Sequence, residues 1–284
     1  MHRIISPILI AALHAAAIAS VMGAPASMSA KLITSVQEGD LGQTRQLLGE
    51  WKTAGKPLPM ASDDRPLLFL AIEGRDETHP EIIDLLLASG ADIAERGPWG
   101  MSALHWAASR GYEERTEQML KHGAKLEAVD DYGRTPLLVA HSLAAAILLR
   151  AKANVFAADK SGNTALHHAA ESGSAHLELL HDGGFGEINA RNKSGWTALH
   201  FAAVAGNVDA CRWLIGKGAD VQAVTSAPYE YLSLKNAPGY GNELRIASGL
   251  TALKIAKQQH GANKWVTQRF KQVADLLSQA EKRR

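Results

Sequence analysis

The sequence predicts an all-α fold, a solenoid of short helix pairs joined by β-hairpin connections, with one long inserted loop or hairpin. Three observations lead there. Five stretches nearly repeat one another: S-A-L-H-W-A-A from Ser102, T-P-L-L-V-A from Thr135, T-A-L-H-H-A-A from Thr164, T-A-L-H-F-A-A from Thr197 and T-A-L-K-I-A from Thr251. A glycine stands two residues before each hydroxyl, at Gly100, Gly133, Gly162, Gly195 and Gly249. The spacing is 33 residues from Ser102 to Thr135 and again from Thr164 to Thr197. A fixed period of this size marks stacked supersecondary units, none of which buries its apolar face alone.

The third unit shows how one repeat is written. Gly100 takes the positive φ that a turn requires, and Ser102 caps the helix that follows by accepting a backbone N–H. Leu104, Ala107 and Ala108 recur at i, i+3 and i+4, one face of a helix. Gly111 ends that helix. A second amphipathic segment reaches Met119 and Leu120, and His122-Gly123-Ala124 closes the unit. The sixth unit repeats the plan with Gly206, Trp213-Leu214-Ile215 and Gly218-Ala219-Asp220-Val221.

The remaining units follow in order. A capping repeat at 29–60 carries Leu32, Ile33, Val36 and Leu47-Leu48, with Trp51 and Pro57-Leu58-Pro59 in an enlarged loop after it. The second unit holds the runs from Leu67 and from Ile82. Pro66 replaces the hydroxyl, and 36 residues separate it from Ser102, which places a three-residue insertion at 75–80. The fourth unit is short, since Thr135 and Thr164 are 29 apart. The deletion falls near His141-Ser142-Leu143, where the inter-helix glycine is missing. The fifth unit runs to Ile188-Asn189-Ala190. Between Thr197 and Thr251 lie 54 residues, so an insertion occupies 223–248. Its Tyr229 to Leu234 run is strand-like, Asn236-Ala237-Pro238-Gly239 is a turn signal, and Glu243 to Ile246 alternates. A C-terminal cap at 249–284 contains Trp265, Phe270, Val273, Leu276 and Leu277.

These motifs resemble the ankyrin repeat over roughly residues 30 to 280. The resemblance implies about seven repeats and a protein that binds a partner protein through hairpin tips and a concave face. It also implies that the histidine at the fourth motif position, His105, His167 and His200, bonds within and between repeats.

The first residues read differently. His2 and Arg3 precede an apolar stretch from Ile4 to Val21, followed by Gly23-Ala24-Pro25-Ala26-Ser27. Charge, apolar core and small residues in that order read as a secretory signal peptide, with an uncleaved membrane anchor as the alternative. The signal peptide is expected over 1–26, with cleavage after Gly23 or Ala26 and the solenoid over 27–284. No paired arginine signals twin-arginine export, and no nearby cysteine offers a lipid anchor. Eukaryotic members of the resembled family are mostly intracellular, so export together with the resemblance points to the bacterial periplasm. The Asn192-Lys193-Ser194 sequon matters only in a eukaryotic secretory route.

Composition narrows the functions. The formal net charge is +1, which excludes the broad basic footprint of nucleic-acid or membrane-surface binding. The single cysteine, Cys211, forms no internal disulfide and reads as a small buried hydrophobe. Twelve histidines invite a metal, and His167, His168, His176 and His181 are the densest group. Adjacent residues do not share a helix face, and no cysteine or carboxylate motif frames them. Asp63-Asp64 and Asp130-Asp131 fall at turns, where Asp bonds nearby amides. No catalytic residue, metal site or cofactor is expected.

By the resemblance, the partner is gripped by residues flanking each turn glycine and at the end of each first helix. These are Trp99, Met101, Ser109 and Arg110, then Tyr132 and Arg134, then Lys160, Asn163 and Glu171, then Lys193 and Trp196. Trp, Tyr, Met and Arg are the types enriched at interface centres. Packing of Trp99 and Trp196 against neighbouring hairpins is the competing reading. Tyr229, Tyr231 and Tyr240 of the insertion join the binding set, with coverage of exposed core by the insertion as the alternative. The expected function is a monomeric, non-enzymatic protein-binding module of the periplasm. An inhibitor or immunity protein against an exported toxin or hydrolase, and an accessory to envelope stress defence, are the other readings.

Overall fold

A computed structural model describes residues 25–53, 57–73, 80–230, 245–258 and 264–283. They form fourteen α-helices, in seven consecutive pairs. The pairs are α1 (Pro25–Glu38) and α2 (Leu41–Thr53), α3 (Leu67–Glu73) and α4 (Pro80–Ala88), α5 (Ala103–Arg110) and α6 (Glu113–Lys121), and α7 (Pro136–Val139) and α8 (Ser142–Arg150). Then come α9 (Ala165–Ser172) and α10 (Ser174–Asp182), α11 (Ala198–Val204) and α12 (Val208–Gly216), and α13 (Ala252–Gln258) and α14 (Lys264–Lys282). This is the predicted solenoid of helix pairs. None of these helices is long and apolar enough to cross a membrane.

The chain forms two compact units, Met1–Ala107 with Tyr112–Asp131, and Ala108–Gly111 with Tyr132–Arg284. In the first, α1 packs on α2 and α3, while α2 packs on α4. In the second, the first helices α7, α9, α11 and α13 stack in one row, and the second helices α8, α10, α12 and α14 in another. The row of first helices buries its small residues completely: Ala169, Ala170, Ala202, Ala203 and Ala256 are closed to solvent. Small side chains let neighbouring helices approach closely, which is why Ala recurs in the motif.

The fourth pair shows the predicted shortening. Helix α7 has four residues and meets α8 through Ala140 and His141 alone. One detail of the first pair differs from expectation. Trp51 belongs to α2, 7% exposed, with its indole N–H donating to the Pro57 carbonyl at 3.1 Å. Helix α1 begins at Pro25, inside the stretch expected as a signal peptide; residues 1–24 lie outside the described residues. The insertion expected at 75–80 falls outside them as well, except for Pro80, which opens α4.

The long insertion leaves the sixth turn as a hairpin. Tyr229–Glu230 (β1) pairs antiparallel with Arg245–Ile246 (β2) in the register Tyr229↔Ile246 and Glu230↔Arg245. Below that pair the neck is closed by Thr225, whose N–H donates to the Leu250 carbonyl at 3.1 Å and whose carbonyl accepts the Gly249 N–H at 2.8 Å. Tyr231 and Tyr240 lie outside the described residues.

Candidate functional site

The helix pairs α9–α10 and α11–α12 are each preceded by a turn whose side-chain chemistry fixes its direction. Asp159 accepts the N–H groups of Ser161 and Asn163, both at 2.8 Å. Asn192 does the same for Ser194 and Trp196, at 3.0 and 2.9 Å. The turn glycines Gly162 and Gly195 sit at φ +80° and +74°. The chain reverses there, so the residue before the glycine and the residue after it point in opposite directions.

That reversal sorts the expected binding residues. Before the glycine, Trp99 is 58% exposed and Tyr132 is 45% exposed. After it, Met101, Asn163 and Trp196 are buried at 4%, 3% and 0%. These three are corrected from partner contacts to interior residues. Trp196 packs edge-on against Phe201 and tilted against His200. Asn163 accepts the Asn192 amide at 2.8 Å, tying one turn to the next. Asn192 itself is buried, at 5% exposed. Arg134, after Gly133, lies over the Tyr132 ring at 4.8 Å. Arg110, Lys160 and Lys193 are exposed, and Ser109 and Glu171 are half-buried. The Glu171 carbonyl accepts the Asn207 amide. Of the three tyrosines expected from the insertion, the structure places only the backbone of Tyr229.

In the first unit Trp99 is braced through its ring and its backbone. Its ring stacks on Trp106, with centroids 6.5 Å apart, and Trp106 packs on Phe69 at 5.7 Å. Its carbonyl accepts the Asp131 N–H at 3.0 Å. Arg96 reaches across to the Val129 carbonyl and to Asp131. The second unit has a ladder of its own: Lys160 N–H to the Tyr132 carbonyl, Lys193 N–H to that of Ser161 and Ser226 N–H to that of Ser194, at 2.9, 3.0 and 2.9 Å. Arg191 donates to the Val224 carbonyl at 2.8 Å. Arg96 and Arg191 escaped the sequence reading, although both stand four residues before a turn glycine. Exposed Phe156, Val129 and Val224 were missed as well.

The motif histidines serve these turns. His167 Nδ1 takes the Thr164 N–H at 3.1 Å, while its Nε2 lies 3.0 Å from the Trp196 carbonyl. The carbonyl needs a donor, so Nε2 carries the proton and the ring is neutral. His200 repeats this with Thr197 and the Ala223 and Leu250 carbonyls. His105 bonds Ser102 in the same way at Nδ1. Burial lowers His167 and His200 to about 4. His176 is also lowered to about 4, by burial first and then by His141 and His168. Its two ring nitrogens find no hydrogen-bond partner among the described residues. Burial pushes the Cys211 thiol up to about 12. No group of three metal-ligating side chains is assembled among the described residues. A groove of about 540 Å³ between α12 and α14 is lined by Asn207, Asp209, Arg212, Arg269 and Asp275 among others, and offers no Ser, Cys or His.

Two stretches, 67–155 and 141–225, match the family model described as ankyrin repeats in three copies. The chain belongs to the ankyrin-repeat family. Among curated relatives, it is 34% identical over 128 residues to the mouse B-cell lymphoma 3 protein homolog, covering 43% of this chain and 29% of that protein. It is 27% identical over 198 residues to a probable E3 ubiquitin-protein ligase of rice, covering 69% of this chain and 39% of that protein. The matches therefore span well under half the length of these relatives. The crystal structure of the ankyrin repeat domain of Bcl-3 superposes with a TM-score of 0.59 at 26% identity, over 87% of this chain and 97% of that one. Ankyrin-repeat stacks are typically non-catalytic scaffolds for protein interaction.

Proposed function

We propose that this ankyrin-repeat protein is a monomeric, non-enzymatic binding module of the bacterial periplasm that holds a partner protein through its hairpin tips. The observation that carries the reading is Trp99, a large aromatic side chain 58% exposed at a turn yet braced against Trp106. A rigid aromatic presented to solvent loses little entropy when a partner covers it, the property that concentrates binding energy at such residues. Support for export comes from the charged, apolar and small-residue order of the first 27 residues. Cleavage after Gly23 leaves α1 whole, whereas cleavage after Ala26 removes its first two residues.

Affinity capture from an envelope extract, read by mass spectrometry, tests the reading. The Trp99→Ala protein is expected to melt with the parent and to bind the captured partner about 30-fold more weakly, the loss of roughly 2 kcal/mol typical of an interface anchor. Undiminished capture by that variant overturns the role of Trp99. Capture of the same partner only from cytoplasmic extract overturns the periplasmic assignment.

A further inference from the structure

Two adjacent repeats of the second unit each bury a polar group that has nothing to bond. The first is at the fourth repeat. Thr164 and Thr197 open their helices with the hydroxyl bonded to the motif histidine, at 2.9 Å in each case. At the fourth repeat Leu138 stands where that histidine would be. Thr135, which opens α7, is 5% exposed and makes no side-chain cap bond. Its Oγ1 has no partner among the described residues. The helix it opens has only four residues, so it gains little from helix propagation.

The second is His176 of the fifth repeat, on α10, 4% exposed with neither ring nitrogen bonded. Helix α10 packs against α8, α9 and α12. The charged groups that act on His176 from these elements are both basic: His141, immediately before α8, and His168 of α9. His168 is itself engaged with the Asp159 carboxylate, at 3.3 Å. The acids of the same helices, Glu171, Glu178, Asp182 and Asp209, do not offset a charge on His176, and Arg150 and Arg212 do not add to one. A neutral imidazole enclosed in this way forfeits the bonds it would make to water. A protonated one forfeits more, and movement of the helix that lets water in relieves both.

We propose that the fourth and fifth repeats form an acid-sensitive segment, in which α7, α8 and α10 open locally to water and protonation of His176 holds them open. Local opening follows the least stable part of a structure, and two neighbouring layers that each bury an unmet group lose least by it. In the open segment His176 regains its ordinary value of 6.5, whereas in the closed one burial holds it near 4. Proton uptake therefore favours the open form below pH 6.5, by roughly tenfold for each pH unit down to about 4. The hairpin tip at 158–162 stands between α8 and α9, so opening unseats it. This device works independently of what the hairpin tips bind.

Native-state hydrogen exchange of the full chain, read by mass spectrometry at pH 7 and pH 5 and corrected for intrinsic rates, tests this. At pH 7 the amides of α8 and α10 are expected to be less protected than those of α12. At pH 5 their protection should fall by about tenfold or more, while α1 and α2, which contain no histidine, change little. His176→Leu should abolish most of that fall. His176→Met, a more adaptable side chain, serves the same purpose where the leucine protein folds poorly. Leu138→His returns an imidazole to Thr135 and is expected to raise protection in α7 and α8 about fivefold, the worth of one hydrogen bond. Protection of α8 and α10 equal to that of α12 at both pH values overturns the proposal. So does a fall at pH 5 that is as large in the His176 variants as in the parent. No gain from Leu138→His overturns the part given to Thr135.

Discussion

His167, His176 and His200 are neutral in the folded chain for one reason, burial, but they differ in what surrounds them. His167 and His200 have an acceptor and a donor placed at opposite nitrogens, so their neutral form is bound as well as enclosed. His176 has neither, and His141 and His168 add repulsion to any charge it takes up. All three have folded values near 4 against an ordinary value of 6.5. The unfolded chain therefore takes up protons first, and their contribution is complete above pH 6.5 and drains away as pH falls toward 4. Each titrating imidazole adds up to about 1.4 kcal/mol per pH unit to the slope. Urea unfolding at pH 7.5, 6 and 5 is expected to show this loss. His176→Leu should flatten it by one histidine's share and raise stability at pH 7.5 by about 1 kcal/mol, since an apolar group replaces an unpaired polar one. A slope unchanged by that substitution would contradict the account. At this scale His167 and His200 were legible in the sequence, because they recur in one slot of a repeating motif, whereas the burial of His176 was not. Trp196 and Asn163 were not. A turn glycine marks the place of the reversal and its positive φ, but which neighbour faces inward is decided by the bonds and packing around the turn.

The turn is the element that joins one repeat to the next, and its glycines are not equivalent. Gly195 has φ +74°, and an added Cβ would lie 2.6 Å from Ser226 Oγ and 2.8 Å from its backbone nitrogen. Gly218 has φ +87°, but nothing lies within 4 Å. An L-residue in the left-handed region costs roughly 1–2 kcal/mol in either place. Only at Gly195 must a backbone also move. Gly195→Ala is expected to destabilise the chain by at least twice as much as Gly218→Ala, measured by thermal or urea unfolding. Equal losses would show that the Ser226 contact relaxes freely. The helices themselves were readable from period and caps, down to the four-residue α7 where the repeat is four short. The arginine and backbone ladder between turns was not, because it joins residues about one repeat apart that carry no shared motif of their own.

Across the whole molecule, stability comes from stacking without covalent ties, since the chain has one cysteine and that one is buried in α12. Its thiol, raised to about 12, holds its proton at neutral pH, and the thiolate is the reactive form. A thiol reagent at pH 8 is expected to label the native protein only as fast as the stack opens, and to label it promptly in urea. Rapid labelling of the native protein would mean that the α12 layer opens on its own. The repeat count, the short fourth unit and the site of the insertion follow from sequence spacing, because each departure from the period must be accommodated at a turn.

The neck beneath that insertion has a consequence of a different kind. Thr225 and Gly249 bond across the gap, and Thr225 N–H reaches Leu250, before the hairpin begins. Everything between 227 and 247 thus enters and leaves through two points that the stack itself holds together. Ends already fixed side by side incur little added entropy when the segment between them is lengthened. The sixth turn is therefore a natural port, where evolution or an engineer can exchange one loop for another while the layers on either side keep their packing.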